Sequence, residues 1–320
     1  MQSAAQRKVE VATPTRFLSI RDFDGSQLDA CLRFAAELKR ARAAGAPHVR
    51  PLQGKHIALL FEKPSLRTRS TFQIAVRELG GDVIEPPQEV ALGGRETLKD
   101  VARNLERWVH GAVVRTYAQS RVEAFANTAP GLRVVNALTN EEHPCQALAD
   151  CQTMIEKWGD LRGRTIAFVG DGNNVAASLA QAAAMLGARV RVASPVGFEL
   201  SEPVRDTVKA VARFGGGVEI TNDPIAGVSG VDAVYTDVWA SMGQEAETAA
   251  RQVIFAPFQV NAELMAHAAP DALFMHCLPA HRGDEVTNDV IDSPASVVFD
   301  QSENRLHTQK ALLAMLNSEC

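Results

Sequence analysis

Short apolar runs alternate with helix-spaced stretches along most of the chain, and this alternation limits the possible folds more than any other feature. Ile57-Ala58-Leu59-Leu60-Phe61 reads as a buried strand, followed by Ile74, Ala75, Val76 and Leu79 at helical spacing. Asp82-Val83-Ile84-Glu85, stopped by Pro86-Pro87, reads as a short second strand, and residues 87–95 as a loop. Thr97 with Asp100 reads as a capping box ahead of Val101, Leu105 and Trp108. Ala112–Arg115 and Val134–Ala137 read as strands flanking a short helix near Val122–Asn127. Before them, Leu28, Cys31, Leu32, Ala35 and Leu38 form one apolar stripe, closed by Arg40, Arg42 and Gly45. A helix opens at Glu142-His143-Pro144-Cys145-Gln146 and runs to about Trp158, with proline in its favoured first turn. After Gly159 the alternation resumes: strands Thr165–Val169, Val190–Ala193, Val218–Ile220, Ala233–Thr236 and Leu273–His276, and a helix Val175–Leu186. A last helix, Arg305 to about Leu316, packs through Leu306, Leu312, Leu313 and Leu316. This pattern predicts an α/β protein of two doubly wound domains, each a mostly parallel sheet flanked by helices.

Composition narrows the function classes. A chain of 320 residues, 46% hydrophobic and 22% charged, has the length of two globular domains. Its net charge of -5 and pI near 5.9 argue against a general binder of nucleic acid or anionic membrane. No apolar stretch is long enough to span a bilayer, and residues 1–16 carry charges without an apolar core of a secretory signal. Five scattered cysteines, Cys31, Cys145, Cys151, Cys277 and Cys320, fit reduced thiols in the cytoplasm. Without a Cys-x-x-Cys pair or a His-Glu-x-x-His stretch, no metal site is expected.

Ser65-Leu66-Arg67-Thr68-Arg69 falls where a strand hands over to a helix. Backbone N–H groups there lack helical partners, and the helix dipole favours an anion. Two arginines and two hydroxyls on such a turn suit a phosphate cradle made without P-loop glycines. The same residues also fit an N-capped surface helix with solvated arginines. Other polar residues close strands as well: Arg115, Asn173 and Asn174, Asp237, and His276-Cys277-Leu278-Pro279. In open α/β sheets ligands bind outside the carboxyl ends of strands, so the set points to an active-site cleft between the domains. Gly170-Asp171-Gly172-Asn173-Asn174 resembles a dinucleotide turn but has Val175 where a small residue is needed, and no acidic residue closes the next strand. A left-handed glycine turn is the simpler reading, leaving the asparagines to hold a small polar ligand. His143 alone reads equally well as a helix-start histidine, and Cys277 alone as a buried small apolar residue.

Taken together, Ser65-Leu66-Arg67-Thr68-Arg69, Arg115-Thr116, His143-Pro144-Cys145-Gln146, Gly170–Asn174, Asp237-Val238-Trp239-Ala240-Ser241-Met242-Gly243, His276-Cys277-Leu278-Pro279 and Asn304-Arg305 resemble the transcarbamoylase family, and most closely its ornithine-using branch. The match runs in the family's order from about residue 15 to the C-terminus. One departure is Leu66, where many relatives have threonine. The resemblance implies transfer of the carbamoyl group of carbamoyl phosphate to the δ-amine of ornithine, giving citrulline and phosphate. It implies a carbamoyl phosphate domain over 1–145, with a C-terminal helix 304–320 packing back on it, and an ornithine domain over 146–303. It assigns Arg115, His143 and Cys277 to catalysis. Ser65, Leu66, Arg67, Thr68, Arg115, His143, Gln146, Cys277, Leu278 and Arg305 would hold carbamoyl phosphate, and Asn174, Asp237, Ser241 and Met242 would hold ornithine. Arg69 would serve a subunit contact as much as the substrate. Residues 238–250 would form a loop closing over ornithine. No cofactor, nucleic acid or membrane partner is implied, and the family's usual assembly is a homotrimer. Alternatives are a transcarbamoylase for N-acetylornithine or putrescine, a ligand-binding paralogue without activity, and a nicotinamide-dependent dehydrogenase.

Overall fold

The computed structural model describes residues 14–240 and 247–317. In chain order the first half comprises β1 (Arg16–Phe17), α1 (Gly25–Ala43), β2 (His56–Phe61), α2 (Leu66–Glu78), β3 (Asp82–Ile84), α3 (Leu98–Trp108), β4 (Gly111–Arg115), α4 (Gln119–Thr128), β5 (Arg133–Leu138) and α5 (Pro144–Trp158). The second half comprises β6 (Thr165–Val169), α6 (Asn174–Met185), β7 (Arg189–Ala193), α7 (Glu202–Val211), β8 (Gly217–Thr221), α8 (Pro224–Val228), β9 (Ala233–Thr236), α9 (Thr248–Phe255), α10 (Ala262–Met265), β10 (Leu273–His276), α11 (Asn288–Ile291) and α12 (Val298–Asn317).

The strands form two parallel sheets, ordered β1-β5-β4-β2-β3 and β10-β9-β6-β7-β8. The central strands β2, β4, β6 and β9 are largely buried on both sides because both faces of each sheet are covered, and successive residues serve different cores. Ile57, Leu59 and Phe61 of β2 join one core, while Ala58 and Leu60 join another with Val101, Leu105 and Phe125. In β6, Ile166 and Phe168 share the first core, while Ala167 and Val169 pack with Val234 and Phe274. The first core is therefore common to both sheets. Helices α5, α6 and α12 contribute to it, and α12 packs against α1, α2 and α5. The predicted stripe on α1 is buried at Leu28, Cys31, Leu32, Ala35 and Leu38.

Each sheet has one point where the strand order reverses. In the first it lies between β2 and β4, paired Phe61 to Arg115; in the second between β6 and β9, paired Val169 to Thr236. Chains leaving adjacent parallel strands there turn to opposite faces, which opens a crevice at the carboxyl edge.

The structure departs from the sequence reading in four places. β1 is only two residues long, too short for periodicity to register. α12 begins at Val298 rather than Arg305. After Val298 and Phe299 its first two turns are polar, but Gln301 and Asn304 are fully buried through hydrogen-bond partners. Residues 248–250, predicted as loop, open α9. Helices α7, α8, α10 and α11 occupy segments that the sequence left unassigned. Among the described residues no helix is long and apolar enough to cross a membrane.

Candidate active site

At the first reversal point β2 feeds α2 through Ser65. Its hydroxyl caps the helix by accepting the Thr68 N–H at 3.2 Å. Leu66 is 78% exposed, so the cradle has use only for its backbone. Arg67 enters the cleft from the first turn, and Arg115 from the end of β4. Buried Arg305 reaches over from α12, donating from Nη2 to Thr68 Oγ1 at 2.6 Å and from Nη1 to Gln146 Oε1. Arg305 can only donate, which fixes the Gln146 amide with its oxygen toward Arg305 and its nitrogen toward Asp150, 2.8 Å away. His143, just ahead of α5, gives its backbone N–H to Ser178 Oγ at 2.9 Å. Its buried Nδ1 has no hydrogen-bond partner among the described residues. Arg69 turns away from the cleft to pair with Glu85 and lies over the Phe61 ring.

These cations crowd one desolvated wall. Burial lowers Arg115 to about 10, helped by Arg305 and Arg67. Burial likewise lowers Arg67 and Arg305. His143 is pushed well below its ordinary value by burial and then by Arg305 and Arg115, so the imidazole is neutral. These depressions, caused chiefly by burial, describe positive charge held away from water, an arrangement that an incoming anion relieves.

The second reversal point supplies the opposite sign. Asp237, immediately after β9, accepts from Cys277 Sγ at 3.0 Å and from Val238 N–H at 2.9 Å on Oδ1. Burial and the Asp237 carboxylate raise the Cys277 thiol well above its usual range, which keeps it protonated. Asn173 and Asn174 open α6, and Asn174 Nδ2 donates to Thr139 O at 2.5 Å. Asp171 lines the cleft and pairs with Arg251 at 2.8 Å, and Arg251 also donates to Trp239 O. Gly172 approaches the 198–200 backbone so closely that a Cβ there would stand 2.5 Å from Leu200 N. The tight approach that a glycine permits is therefore made to the protein's own chain.

The loop after β10 is set from behind. Leu278 adopts φ 55°, which a leucine rarely takes, and gives its N–H to His276 Nδ1 at 2.8 Å. That bond puts the ring proton on Nε2, which donates to buried Glu285 at 3.1 Å. Donor atoms of Asp237, His276 and Cys277 lie within 4.8 Å of one another. Both His276 nitrogens are committed, to Leu278 and Glu285, and Cys277 bonds Asp237, so these donor atoms are taken up by hydrogen bonds rather than forming an open coordination sphere.

The two walls enclose a cavity of about 1070 Å³. Ser65, Leu66, Arg67, Thr68, Arg115, His143, Gln146, Asn174, Asp237, Cys277, Leu278 and Arg305 all line it. Ser241 and Met242 lie outside the described residues. His276 and Asn304, neighbours of Cys277 and Arg305 in the chain, face away from it into buried partners. Sequence reasoning missed Lys63, which lines the cavity, donates to Asn140 Oδ1 at 2.6 Å and stands 4.5 Å from the Tyr117 ring centre. Burial and then Arg115 lower its ammonium. Lys63 and Tyr117 each sit two residues past a strand end, a signal the sequence did contain. Phe198 and Arg251 reach the cavity from segments with no such signal.

Comparison with known proteins adds the family. Residues 15–156 match the family model described as "Aspartate/ornithine carbamoyltransferase, carbamoyl-P binding domain", and residues 162–316 the "Asp/Orn binding domain" of the same family. A relative from Thermococcus kodakarensis, named ornithine carbamoyltransferase, is 50% identical over 301 residues, covering 93% of this chain and 95% of its own. One from Pyrococcus furiosus, named an anabolic ornithine carbamoyltransferase, is 49% identical over 93% of this chain and 95% of its own. The solved ornithine carbamoyltransferase structure from P. furiosus superposes with a TM-score of 0.91 at 48% identity, over 95% of this chain and 98% of that one. That from Thermus thermophilus gives 0.85 at 43% identity, over 95% and 99%.

Proposed function

We infer from this chain, which belongs to the aspartate/ornithine carbamoyltransferase family, an ornithine carbamoyltransferase that converts carbamoyl phosphate and L-ornithine to L-citrulline and phosphate. The observation that carries this reading is the polarity of the cleft. One wall presents Arg67, Arg115, Arg305 and Lys63; the other presents Asp237, beside an Asp171 that is paired with Arg251. Carbamoyl phosphate is a dianion, and ornithine bears an α-ammonium, so each wall suits one substrate.

On the cationic side, Arg67, Arg115 and the free amides at Ser65–Thr68 would hold the phosphate as ground-state anion and as leaving group. Arg115, Thr68 and the neutral His143 would face the carbonyl oxygen as it gathers negative charge. Gln146 and the Cys277 and Leu278 carbonyls would receive the carbamoyl NH2, and Arg305 would complete this half-site. On the acidic side, Asp237 would take the α-ammonium and Asn174 the α-carboxylate. Cys277, protonated and bonded to Asp237, would orient the δ-amine; no thioester forms. The amine attacks only after losing its proton. The new C–N bond forms, the C–O bond to phosphate breaks, and phosphate leaves with the electron pair and takes up the second proton that the attacking nitrogen sheds.

The domain division proposed with this function is 1–145 for carbamoyl phosphate and 146–303 for ornithine, with 304–320 packing back on the first. A cytoplasmic homotrimer and a biosynthetic direction belong to the same proposal, the latter supported by the relative named anabolic. Purified protein given carbamoyl phosphate should form citrulline with L-ornithine. Carbamoylation of N-acetylornithine, putrescine or aspartate instead would reject the substrate assignment, and a monomer by light scattering would reject the trimer.

A further inference from the structure

Asn173 performs two tasks with the two ends of one amide. It is the N-cap of α6, and its Oδ1 accepts the N–H groups of Val175 at 2.9 Å and Ala176 at 3.1 Å. Those are donors only, so the amide cannot flip, and Nδ2 must point the other way. There it donates to Oδ2 of Asp237 at 2.8 Å. The carboxylate of Asp237 is therefore held from both sides of the second sheet's reversal point. Cys277 and Val238 occupy Oδ1, while Asn173 from α6 is the partner on Oδ2 that the described residues show.

We infer that Asn173 is a positioning residue for amino-acid selectivity: as α6's cap it aims Asp237 Oδ2 at the substrate's α-ammonium. This deepens the ornithine half-site above and rests on that reading. The position needs an oxygen short enough to cap a helix and, on the same carbon, a donor. Aspartate caps as well as asparagine but, ionised, has no donor; serine's only donor is the capping oxygen itself, one atom short of where Nδ2 meets Asp237; and glutamine is too long for the cap. The two tasks can thus be separated by substitution.

Asn173→Ser keeps the cap, so its melting temperature should stay within roughly 2 °C of wild type. The ornithine KM should rise about 10-fold or more, the scale of one charge-assisted hydrogen bond, with the carbamoyl phosphate KM within about twofold. The decisive readout is the kcat/KM preference for ornithine over 5-aminopentanoate, which is ornithine without its α-amino group. That preference should fall about 10-fold or more, because only the ligand with an α-ammonium uses Asp237. Asn173→Asp, also a good cap, places a second carboxylate against Asp237 and should lose at least as much preference; it carries the test alone if the serine variant fails to fold. In an Asp237→Asn background, Asn173→Ser should add nothing further. An unchanged preference in both Asn173 variants, or equal loss of both substrates, overturns the inference. Absence of citrulline formation by wild type defeats the underlying function instead, and Asp237→Asn with full ornithine preference defeats the half-site assignment, so the failures are distinguishable.

Discussion

Arg67 stands at the first turn of α2, partly buried and lining the cleft. As one donor to a developing anion, its loss in Arg67→Ala should lower kcat by about 100-fold or more, read as citrulline formed per enzyme at saturating substrate. Wild-type turnover would remove Arg67 from the anion wall. His143 makes a sharper test of protonation. Because its imidazole is neutral throughout the physiological range, it cannot set the acid limb of the pH profile. That limb belongs to the substrate amine, whose free form grows with pH toward an ordinary value of about 10. kcat/KM for ornithine should rise with pH from about 6 to about 9, and His143→Asn should lower the rate without moving the limb. A limb that disappears in the variant would assign it to the histidine. At this scale the sequence was legible where chemistry demands unusual residues next to strand ends. It was silent on Asn173's second contact, because capping alone already explains an asparagine before a helix.

Among the elements, α5 and α12 differ most from what their sequences suggest. Polar residues at Asp150, Gln301, Asn304, Thr308 and Lys310 are all fully buried, which hydropathy cannot foresee. They are tolerable because partners are present: Lys310 with Glu78, Asn304 with Thr153, and Gln301 with both Asp150 and Tyr235. Asp150 has a measurable consequence. Burial raises its carboxyl to about 7 from an ordinary 3.8, opposed by bonds from Gln146 and Gln301. A folded-state value above the unfolded one means that the native state binds the extra proton between those limits. Stability from the protonated acid is then full below about 3.8 and is lost as pH rises to about 7. Asp150→Asn lacks this titration, so its melting temperature relative to wild type should climb between about pH 4 and pH 7, each step of one pH in that window costing wild type up to about 1.4 kcal/mol. A difference flat with pH would contradict the raised value. The strands were legible because alternate residues must fill two cores; β1, at two residues, and α7 to α11 offered too short or too mixed a pattern.

Across the whole molecule, the function rests on two reversal points facing one cavity. The parallel α/β class followed from strand–helix alternation, and the cleft from polar residues gathered at strand ends. Which residues meet across the cleft could not follow from order along the chain. Arg305 and Thr68 are far apart in sequence, and their contact depends on α12 returning to pack on α2. A bisubstrate analogue joining a phosphonoacetyl group to the δ-nitrogen of ornithine addresses both walls at once. In a crystal structure of that complex, the phosphonate should lie among Arg67, Arg115 and the N–H groups opening α2, with the α-ammonium on Asp237 and the α-carboxylate toward Asn174. A phosphonate bound away from these arginines, or an amino-acid end that leaves Asp237 untouched, would contradict the two-walled cleft.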